Sequence, residues 1–147
     1  MPSSVRTTTP NSSVREFHHC VSALLREDDR VLLVHRGPLC EWAPGTWDLP
    51  GGHVLDGELE TEAEALIREA REELGIDIRP VDLTPVGRLS GPDFEVVFFH
   101  VALWAGIPYN AAPEEHTALE WVEASEVTHR TLADRDVLPI IDKVLGR

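Results

Sequence analysis

Basic residues are scarce in this sequence. Its 147 residues include 13 lysines and arginines against 26 aspartates and glutamates, for a formal net charge of -13 at pH 7. Proteins that bind nucleic acids or anionic membranes through their overall charge carry an excess of basic residues instead. We therefore expect neither nucleic acid nor a membrane as a partner. An anionic ligand would need a local cationic group or a metal ion.

Cysteines and long hydrophobic runs are also scarce. Cys20 and Cys40 form no CxxC motif, so we expect reduced thiols rather than a disulfide framework. No apolar run approaches the length of about 18 residues that a transmembrane helix needs. The first residues, MPSSVRTTTPNSSV, lack the apolar core of a secretory signal. These absences together predict a cytoplasmic protein.

The length and the composition predict one folded domain. A chain of 147 residues with 42% apolar residues suits a single globular domain with one core. The Ser-, Thr- and Pro-rich start predicts a flexible tail over residues 1–15, because such a composition buries little apolar surface. The domain then occupies residues 16–147.

The pattern of apolar residues predicts several strands and two helices. FHHCVSALL and VLLVHR flank the polar turn REDDR and predict a β-hairpin. GRLSGPDFEVVFFHVALWAG predicts two strands around Gly91 and Pro92, and ALEWVEASEV predicts a short strand and a turn. DRDVLPIIDKVLGR predicts a C-terminal helix that begins near Asp134 or Asp136. A mixed sheet with helices packed on it, of the α+β or α/β class, is the simplest architecture.

One helix is specified by its ends as well as by its apolar residues. Thr61 is an N-cap residue, and Glu64 three positions later completes a capping box. Gly75 stands where a C-terminal cap belongs. An apolar stripe at helical spacing joins the two ends and comprises Ala63, Leu66, Ile67, Ala70 and Leu74.

Three glutamates crowd one face of this helix. At about 100° per residue, Glu69, Glu72 and Glu73 share a face that borders the apolar stripe. Glu69 and Glu73 repel each other one turn apart, and Arg68 precedes Glu72 in the less favourable order for an ion pair. A solvated charged face is the usual explanation of such a run. The alternative is a divalent cation such as Mg²⁺, which prefers oxygen ligands and would turn the repulsion into ligation.

The glutamates belong to a longer motif. The sequence reads Gly51-Gly52-x5-Glu58, and later Arg68-Glu69-Ala70-x-Glu72-Glu73-x-Gly75-Ile76. This block resembles the Nudix box of the Nudix hydrolases, G-x5-E-x7-R-E-U-x-E-E-x-G-U, in which U is a bulky aliphatic residue. The flanking WDLPGGHV and LEWVEASEV also look like this family. The resemblance extends from about Phe17 to the C-terminal helix. It implies a Nudix-type α/β/α sandwich with a mixed central β-sheet.

The motif departs from the family pattern in its loop. Nine residues, rather than seven, separate Glu58 from Arg68, whereas Glu60 has the family distance to Arg68. Because the helix start at Thr61 keeps its distance from Arg68, we expect the two additional residues in the loop around GELE. Either Glu58 or Glu60 is then the loop acid that pairs with Arg68. Ala70 is a smaller residue than the family has at its aliphatic position.

The resemblance implies metal-dependent hydrolysis. Members of the family hydrolyse a nucleoside diphosphate linked to another group by attack of water at phosphorus. Mg²⁺ or Mn²⁺ would join the acidic protein to the anionic substrate. By position, the catalytic groups would be Arg68, Glu69 and Glu72. Arg68 would orient the carboxylates through its planar guanidinium group, and Glu69 would be a metal ligand or the general base.

The same resemblance implies a set of metal ligands. Relatives use the carbonyl group of the first glycine of the motif, which is Gly51 here. In several relatives a further acid before the late strand binds the metal or acts as the base. Glu115 matches that place, with Glu114 and Glu120 as competitors and a plain surface acid as the alternative. The metal ligands implied are Gly51, Glu69, Glu72, Glu73 and Glu115.

Four residues are candidates for contacts with the substrate. Arg36 ends a predicted strand, where relatives contact phosphate; the alternative is a solvated charge at a strand edge. Trp47 would line the nucleotide cleft or else pack into the core. Phe94 and Asp136 are candidates for contacts with the base. The histidines show no zinc spacing, and we expect them at the surface or in the cleft rather than as ligands.

The motif indicates the type of reaction but does not identify the leaving group. A short chain with the W-x-x-PGG lead-in resembles the nucleoside triphosphate and small-nucleotide pyrophosphohydrolases, which release a nucleoside monophosphate and pyrophosphate. One alternative is an ADP-ribose or nucleotide-sugar pyrophosphatase, suggested by Pro92, 16 residues after Ile76. Another is a catalytically inactive Nudix-fold module that binds a nucleotide or a protein. Retention of Arg68 and the three glutamates favours an enzyme. A homodimer is compatible with the sequence.

Overall fold

In the computed structural model, the described residues, 16–55 and 59–147, form a mixed seven-stranded sheet with helices on both faces. The predicted tail lies outside these residues. The strands are β1 (His18–Glu27), β2 (Arg30–Arg36), β3 (Trp47–Asp48), β4 (Gly51–His53), β5 (Leu83–Gly91), β6 (Phe94–Val101) and β7 (His116–Glu123). The helices are α1 (Glu62–Leu74), α2 (Ala124–Val127) and α3 (Leu138–Leu145), and Pro80–Asp82 and Arg135–Val137 form 3-10 turns. The predicted mixed sheet with flanking helices is confirmed.

Strand β1 joins the two halves of the sheet. Its last residues pair with the start of β2, which confirms the predicted hairpin. Its earlier residues pair in parallel with β6 on one side, and Cys20–Ser22 pair antiparallel with β4 on the other. Strand β2 continues into a ladder with β7, in which Arg36 lies opposite His116 after an irregularity at His35. The ends of β4, β2 and β7 therefore meet on one side of the molecule.

The sheet has a buried core on each face. Along β1, Val21, Ala23 and Leu25 belong to the cluster that α1 covers. Leu24, between them, belongs to the cluster that α2 and α3 cover. Successive side chains of a strand point to opposite faces, so a strand covered on both sides is apolar at nearly every position. This explains the continuous run of apolar residues in β2.

The predicted ends of α1 are confirmed. The Thr61 hydroxyl group accepts a hydrogen bond from the Glu64 N–H at 3.1 Å, and the Glu64 carboxylate accepts one from the Thr61 N–H at 2.9 Å. Gly75 caps the other end in the left-handed conformation, with φ 67°. Of the predicted stripe, Leu66, Ala70 and Leu74 are buried, whereas Ala63 and Ile67 lie half-buried at its margins. Ala65 and Glu73 are buried instead, and the burial of a glutamate matters for the site.

The sequence predicts that the C-terminal helix begins near Asp134 or Asp136, where the structure has the 3-10 turn Arg135–Val137; α3 itself begins at Leu138. Asp134 caps the 3-10 turn by accepting a hydrogen bond from the Asp136 N–H at 2.9 Å, and α3 continues from the turn. Pro92 lies in the two-residue turn between β5 and β6, which is the ordinary structural role of such a residue. None of the helices in the described residues is long and apolar enough to span a membrane.

Candidate active site

A cleft of about 440 Å³ opens where α1, β4 and the segment before β7 meet. We call it the acidic cleft, because six glutamates line it while Arg36 is the one arginine or lysine among its described lining residues. The sheet brings these groups together, since β4 pairs with β1 beneath α1 and β7 pairs with β2. The lining glutamates are Glu41, Glu69, Glu72, Glu73, Glu114 and Glu115.

Arg68 connects the helix to the preceding loop. Its Nε and Nη2 atoms donate to the two carboxylate oxygens of Glu60 at 2.7 and 2.9 Å. Nη2 also donates to the His53 carbonyl group at 2.9 Å, and Nη1 donates to Glu69 at 3.1 Å and to Glu72 at 3.3 Å. One planar guanidinium group thus fixes the loop, β4 and two glutamates of the helix relative to one another.

Glu60 is the loop acid that contacts Arg68 in the structure. The hydrogen bonds from Arg68 hold the pKa of Glu60 below its usual range. The Leu55 N–H donates to the same carboxylate at 3.0 Å, so Glu60 also fixes the path of the loop. Glu58, the other candidate, lies outside the described residues. The acid that contacts Arg68 is therefore the one at the family spacing from it in the sequence. The two additional residues of the loop precede Glu60.

Two glycines make room for the glutamates of α1. A Cβ atom on Gly52 would lie 2.3 Å from the carboxyl carbon of Glu69, so only glycine lets that carboxylate lie against β4. A Cβ atom on Gly51 would lie 2.0 Å from the Val21 carbonyl oxygen of β1. The Gly51 N–H also donates to the Glu73 carboxylate at 3.3 Å. Gly51 and Gly52 therefore allow β1 and the Glu69 side chain to pack closely against β4, in addition to any effect on the direction of the chain.

Glu69 and Glu73 form a close carboxylate pair, of which Glu73 is buried and Glu69 half-buried. Glu73 is 5% exposed, and its burial together with the charge of Glu69 raises its pKa well above the usual range. Burial also raises the pKa of Glu69, although Arg68 opposes that effect. Two close carboxylates in a poorly solvated place disfavour their own charged forms. A divalent cation would favour those forms, so this pair of oxygen donors fits a hard cation.

A third acid and a histidine lie beside this pair. Glu73, Glu115 and His116 each offer a ligand atom, and these atoms all lie within 4.8 Å of one another. His116 is 5% exposed, and its Nδ1 atom has no hydrogen-bond partner among the described residues. Burial and the charge of Arg36 lower the pKa of His116 to about 4. The histidine was not singled out from the sequence, although it directly follows Glu115.

The competitors of Glu115 differ in their positions. Glu114 also lines the acidic cleft. Glu120 instead forms a two-pronged ion pair with Arg130, at 3.1 and 2.7 Å. Among these three acids, Glu115 is the one whose carboxylate lies near Glu73.

Arg36 is buried at the edge of the acidic cleft. It is 7% exposed, so the alternative of a solvated charge at a strand edge is wrong. Its Nε atom donates to the Trp42 carbonyl group at 2.8 Å, and its guanidinium group lies 5.1 Å from the centre of the Trp42 ring. An Asp48 oxygen lies 3.8 Å from its Nη1 atom. The loop between β2 and β3 thus folds back over the arginine.

A second hollow, of about 100 Å³, adjoins the acidic cleft and shares Arg36, His116 and the glycine pair with it. We call it the side hollow. Burial raises the pKa of Asp48, which lines it, to about 6, against the opposing effect of Arg36. Its lining joins polar groups to apolar ones and includes Ser22, Trp42, Asp48, Asp134, Leu89, Val96, Phe98 and Val137.

Three of the candidate substrate contacts, Trp47, Phe94 and Asp136, are not among the described residues that line the two hollows. Trp47 packs against His35 at 4.9 Å and beneath the Arg130 guanidinium group. It therefore packs against the core, which was the alternative to a place in the nucleotide cleft. Phe94 packs over Gly91 at the hairpin turn, and Asp136 is exposed. Their near neighbours Trp42 and Asp134 line the side hollow instead. The Gly- and Pro-rich segment around Trp42 is the signal that could have indicated a functional loop.

Comparisons with known proteins agree with this geometry. The model of the NUDIX domain family matches residues 16–143. The CTP pyrophosphohydrolase of Escherichia coli (strain K12) is 31% identical over 128 residues, which cover 86% of this chain and 90% of that protein. The 8-oxo-dGTP diphosphatase of Proteus vulgaris is 32% identical over 92 residues, or 61% of this chain and 80% of that protein. A crystal structure of the MutT NUDIX hydrolase from Burkholderia pseudomallei superposes with a TM-score of 0.74 at 26% identity, over 88% of this chain and 99% of that one.

Proposed function

Because the chain belongs to the Nudix family and is a pyrophosphohydrolase of that family, we propose that it hydrolyses nucleoside triphosphates to nucleoside monophosphates and pyrophosphate, with Mg²⁺ or Mn²⁺ as its cofactor. The observation that carries the proposal is the acid cluster of α1, which faces the buried Arg36 across one cleft beside a partly apolar hollow. Phosphates and a base would each find a matching surface there. Two of the similar proteins are a CTP pyrophosphohydrolase and an 8-oxo-dGTP diphosphatase, and the substrates in their names support a triphosphate rather than ADP-ribose or a nucleotide sugar.

The acidic cleft would hold the cation between protein and substrate. Its ligands would be the carboxylates of Glu69, Glu72, Glu73 and Glu115 and the carbonyl group of Gly51. When bound, Mg²⁺ neutralises phosphate charge and lowers the pKa of a coordinated water molecule. The raised pKa of the Glu69–Glu73 pair supports this assignment, because it reports a repulsion that a cation relieves.

The residues of the chain would position and deprotonate the attacking water. Arg68 fixes Glu69 and Glu72 from one side, and Gly52 lets the Glu69 carboxylate lie against β4. A carboxylate held beside the attacking water can take its proton as a general base. We assign this role to Glu69, one of whose Oε atoms would take the proton of the water that attacks phosphorus.

The other residues would orient the substrate. Arg36 would bind phosphate oxygens, since its guanidinium group is held in place and lies between the two hollows. The Trp42 ring would stack on the base in the side hollow. The Asp48 and Asp134 carboxyl groups would bind donors on the base edge. Ordered contacts of this kind would place the scissile phosphate beside Glu69.

A phosphate-release assay coupled to pyrophosphatase tests the proposal. The substrate panel contains ribo- and deoxyribonucleoside triphosphates, 8-oxo-dGTP, dinucleotides, ADP-ribose and nucleotide sugars, each with Mg²⁺ and with EDTA. We expect Mg²⁺-dependent turnover to be greatest for a triphosphate. Glu73→Gln should lower kcat at least about 100-fold, because a charged ligand of a catalytic metal is worth several kcal/mol.

The matched control is Glu120→Gln, which removes a glutamate that pairs with Arg130 outside the acidic cleft. It should keep near-normal turnover. A preference for ADP-ribose or a nucleotide sugar would show that this compound, and not a triphosphate, is the substrate. Absence of Mg²⁺-dependent turnover across the panel would refute the proposed reaction.

A further inference from the structure

Two elements bring three possible ligands to one wall of the acidic cleft. Glu73 comes from the last turn of α1, whereas His116 is the first residue of β7 and Glu115 directly precedes it. Their ligand atoms lie within 4.8 Å of one another. Ligands of one divalent cation lie about 2.0–2.6 Å from it, so small side-chain rotations would bring all three to one ion.

The imidazole group of His116 is buried and incompletely satisfied. Its Nδ1 atom has no hydrogen-bond partner among the described residues. A buried polar atom without a partner is uncommon and costs free energy. The group also lines the acidic cleft, so its unsatisfied state coincides with the place where ligands converge.

The backbone holds His116 firmly in this position. Its N–H donates to the Ala112 carbonyl group at 3.0 Å, and its carbonyl group accepts a hydrogen bond from the Asn110 side chain at 2.7 Å. The ladder of β2 and β7 also places it opposite Arg36. Because the backbone is held in this way and the residue is 5% exposed, rotation of the ring toward open water would disrupt packed structure. A partner from outside the polypeptide explains its placement.

We propose that His116 is a nitrogen ligand in a mixed site with Glu73 and Glu115, and that this site selects a first-row transition cation, represented by Mn²⁺, over Mg²⁺. Imidazole suits transition metals, whereas carboxylate and carbonyl oxygens suit Mg²⁺ and also Mn²⁺. A site with two carboxylates and one imidazole therefore favours an ion that accepts both donor types. The inference rests on the proposed function, because it identifies the class of cation that the same cleft takes.

Pulsed EPR of Mn²⁺ bound to the full chain, without substrate, tests the ligand directly. The wild type should show coupling of the Mn²⁺ electron spin to an imidazole ¹⁴N nucleus. His116→Gln should lose this coupling and keep the bound ion. His100→Gln is the matched control, because it removes a half-buried histidine of β6 outside the described lining of the cleft, and it should keep the coupling.

Titrations with Mn²⁺ and with Mg²⁺ test the selectivity. His116→Gln should weaken Mn²⁺ binding at least about tenfold, as losses around metal ligands commonly do, and should leave Mg²⁺ binding within about twofold. Glu115→Gln, at an exposed position that tolerates substitution, should weaken the binding of both ions. Melting temperatures in EDTA establish whether each variant folds.

The outcomes separate the inference from the proposed function. Bound Mn²⁺ without ¹⁴N coupling in the wild type, or equal losses for the two ions in His116→Gln, would overturn the inference. Either result would leave Mg²⁺-dependent turnover of triphosphates intact. Conversely, a failure of turnover across the substrate panel would refute the proposed function, whereas the EPR signal would still report the ligand. If His116→Gln does not fold, the variant His53→Gln, at the other histidine among the described lining residues of the acidic cleft, decides the question: persistence of the ¹⁴N coupling in it supports His116 as the ligand, and loss of the coupling overturns the inference.

Discussion

Arg68 and Glu60 meet in a two-pronged ion pair, with Nε–Oε2 and Nη2–Oε1 distances of 2.7 and 2.9 Å. The same guanidinium group reaches Glu69 and Glu72 through its remaining nitrogen atom. A loop acid, an arginine and two glutamates of the helix therefore form one connected unit. A change in any of them should be felt at the acidic cleft.

Arg68→Lys should impair catalysis more than folding. A lysine keeps the charge and cannot reproduce the planar fork, so Glu69 and Glu72 lose their common orientation. We expect kcat to fall about 10- to 100-fold, the range seen when groups that orient ligands are removed, with a small change in melting temperature. Arg130→Lys disrupts the similar pair with Glu120 outside the cleft and serves as the control. Equal kcat values for the two variants would contradict the role given to Arg68.

Gly51→Ala and Gly52→Ala should fail in different ways. The new methyl group at Gly51 would collide with the backbone of β1, which cannot move without loss of sheet pairing. The new methyl group at Gly52 would collide with the end of the flexible Glu69 side chain. Gly51→Ala should therefore lower the melting temperature strongly, whereas Gly52→Ala should fold and lose turnover.

Calorimetry and the triphosphate assay on both glycine variants check this contrast. A Gly52→Ala variant with normal kcat would show that the position of Glu69 against β4 is unimportant for the reaction.

Asp48 should make the stability of the protein depend on pH. Its pKa is raised to about 6 in the folded state, from an ordinary value of about 3.9. Because its pKa is raised, the Asp48 carboxyl group contributes stability that is fully present below its ordinary pKa. This stability is lost as the pH rises through about 6. Asp48→Asn removes this loss and keeps an oxygen that can accept from the Leu49 N–H. The free energy of unfolding of the variant should therefore rise relative to that of the wild type between pH 4 and pH 7.

The gain in the free energy of unfolding should be at most about 3 kcal/mol, because one pKa unit corresponds to about 1.4 kcal/mol. Urea denaturation of both proteins at several pH values measures it. Asp142→Asn, at an exposed position on α3, is the control. A difference between wild type and Asp48→Asn that stays constant with pH would contradict the raised pKa.

Trp42→Ala should weaken substrate binding. The ring lines the side hollow and lies over Arg36, so its loss removes a stacking surface and loosens the arginine. We expect KM to rise about tenfold, since stacking on a base is worth about 1–3 kcal/mol, with a smaller effect on kcat. Trp42→Phe should restore most of the affinity, and Trp47→Phe, in the core beside His35, should leave KM nearly unchanged. The reverse order for the two tryptophans would reject the assignment of the side hollow to the base.

Local features of the fold could be read from the sequence, and long-range ones could not. The caps at Thr61 and Gly75 involve residues within a few positions of each other, so the boundaries of α1 were predictable. The parallel pairing of β1 with β6 joins residues far apart in the chain. Nothing in either segment alone specifies that neighbour.

The same distinction applies to the site. The spacing of Glu69, Glu72 and Glu73 placed them on one face, whereas the burial of Glu73 depends on β4 and on the start of β7. The choice between Trp42 and Trp47 depends on how the loop after β2 folds back over Arg36. Such paths are set by tertiary packing rather than by residue type.

The pairing of Arg36 with His116 has a consequence for how the protein is made. These residues lie eighty positions apart in the chain and meet only when β7 joins β2. Contacts between distant segments form slowly, because the intervening chain must first be ordered. A nascent chain that still lacks β7 can build α1 and the first hairpin while one wall of the cleft is missing. Hydrolytic competence should therefore arise late in folding, after synthesis of the C-terminal third of the chain.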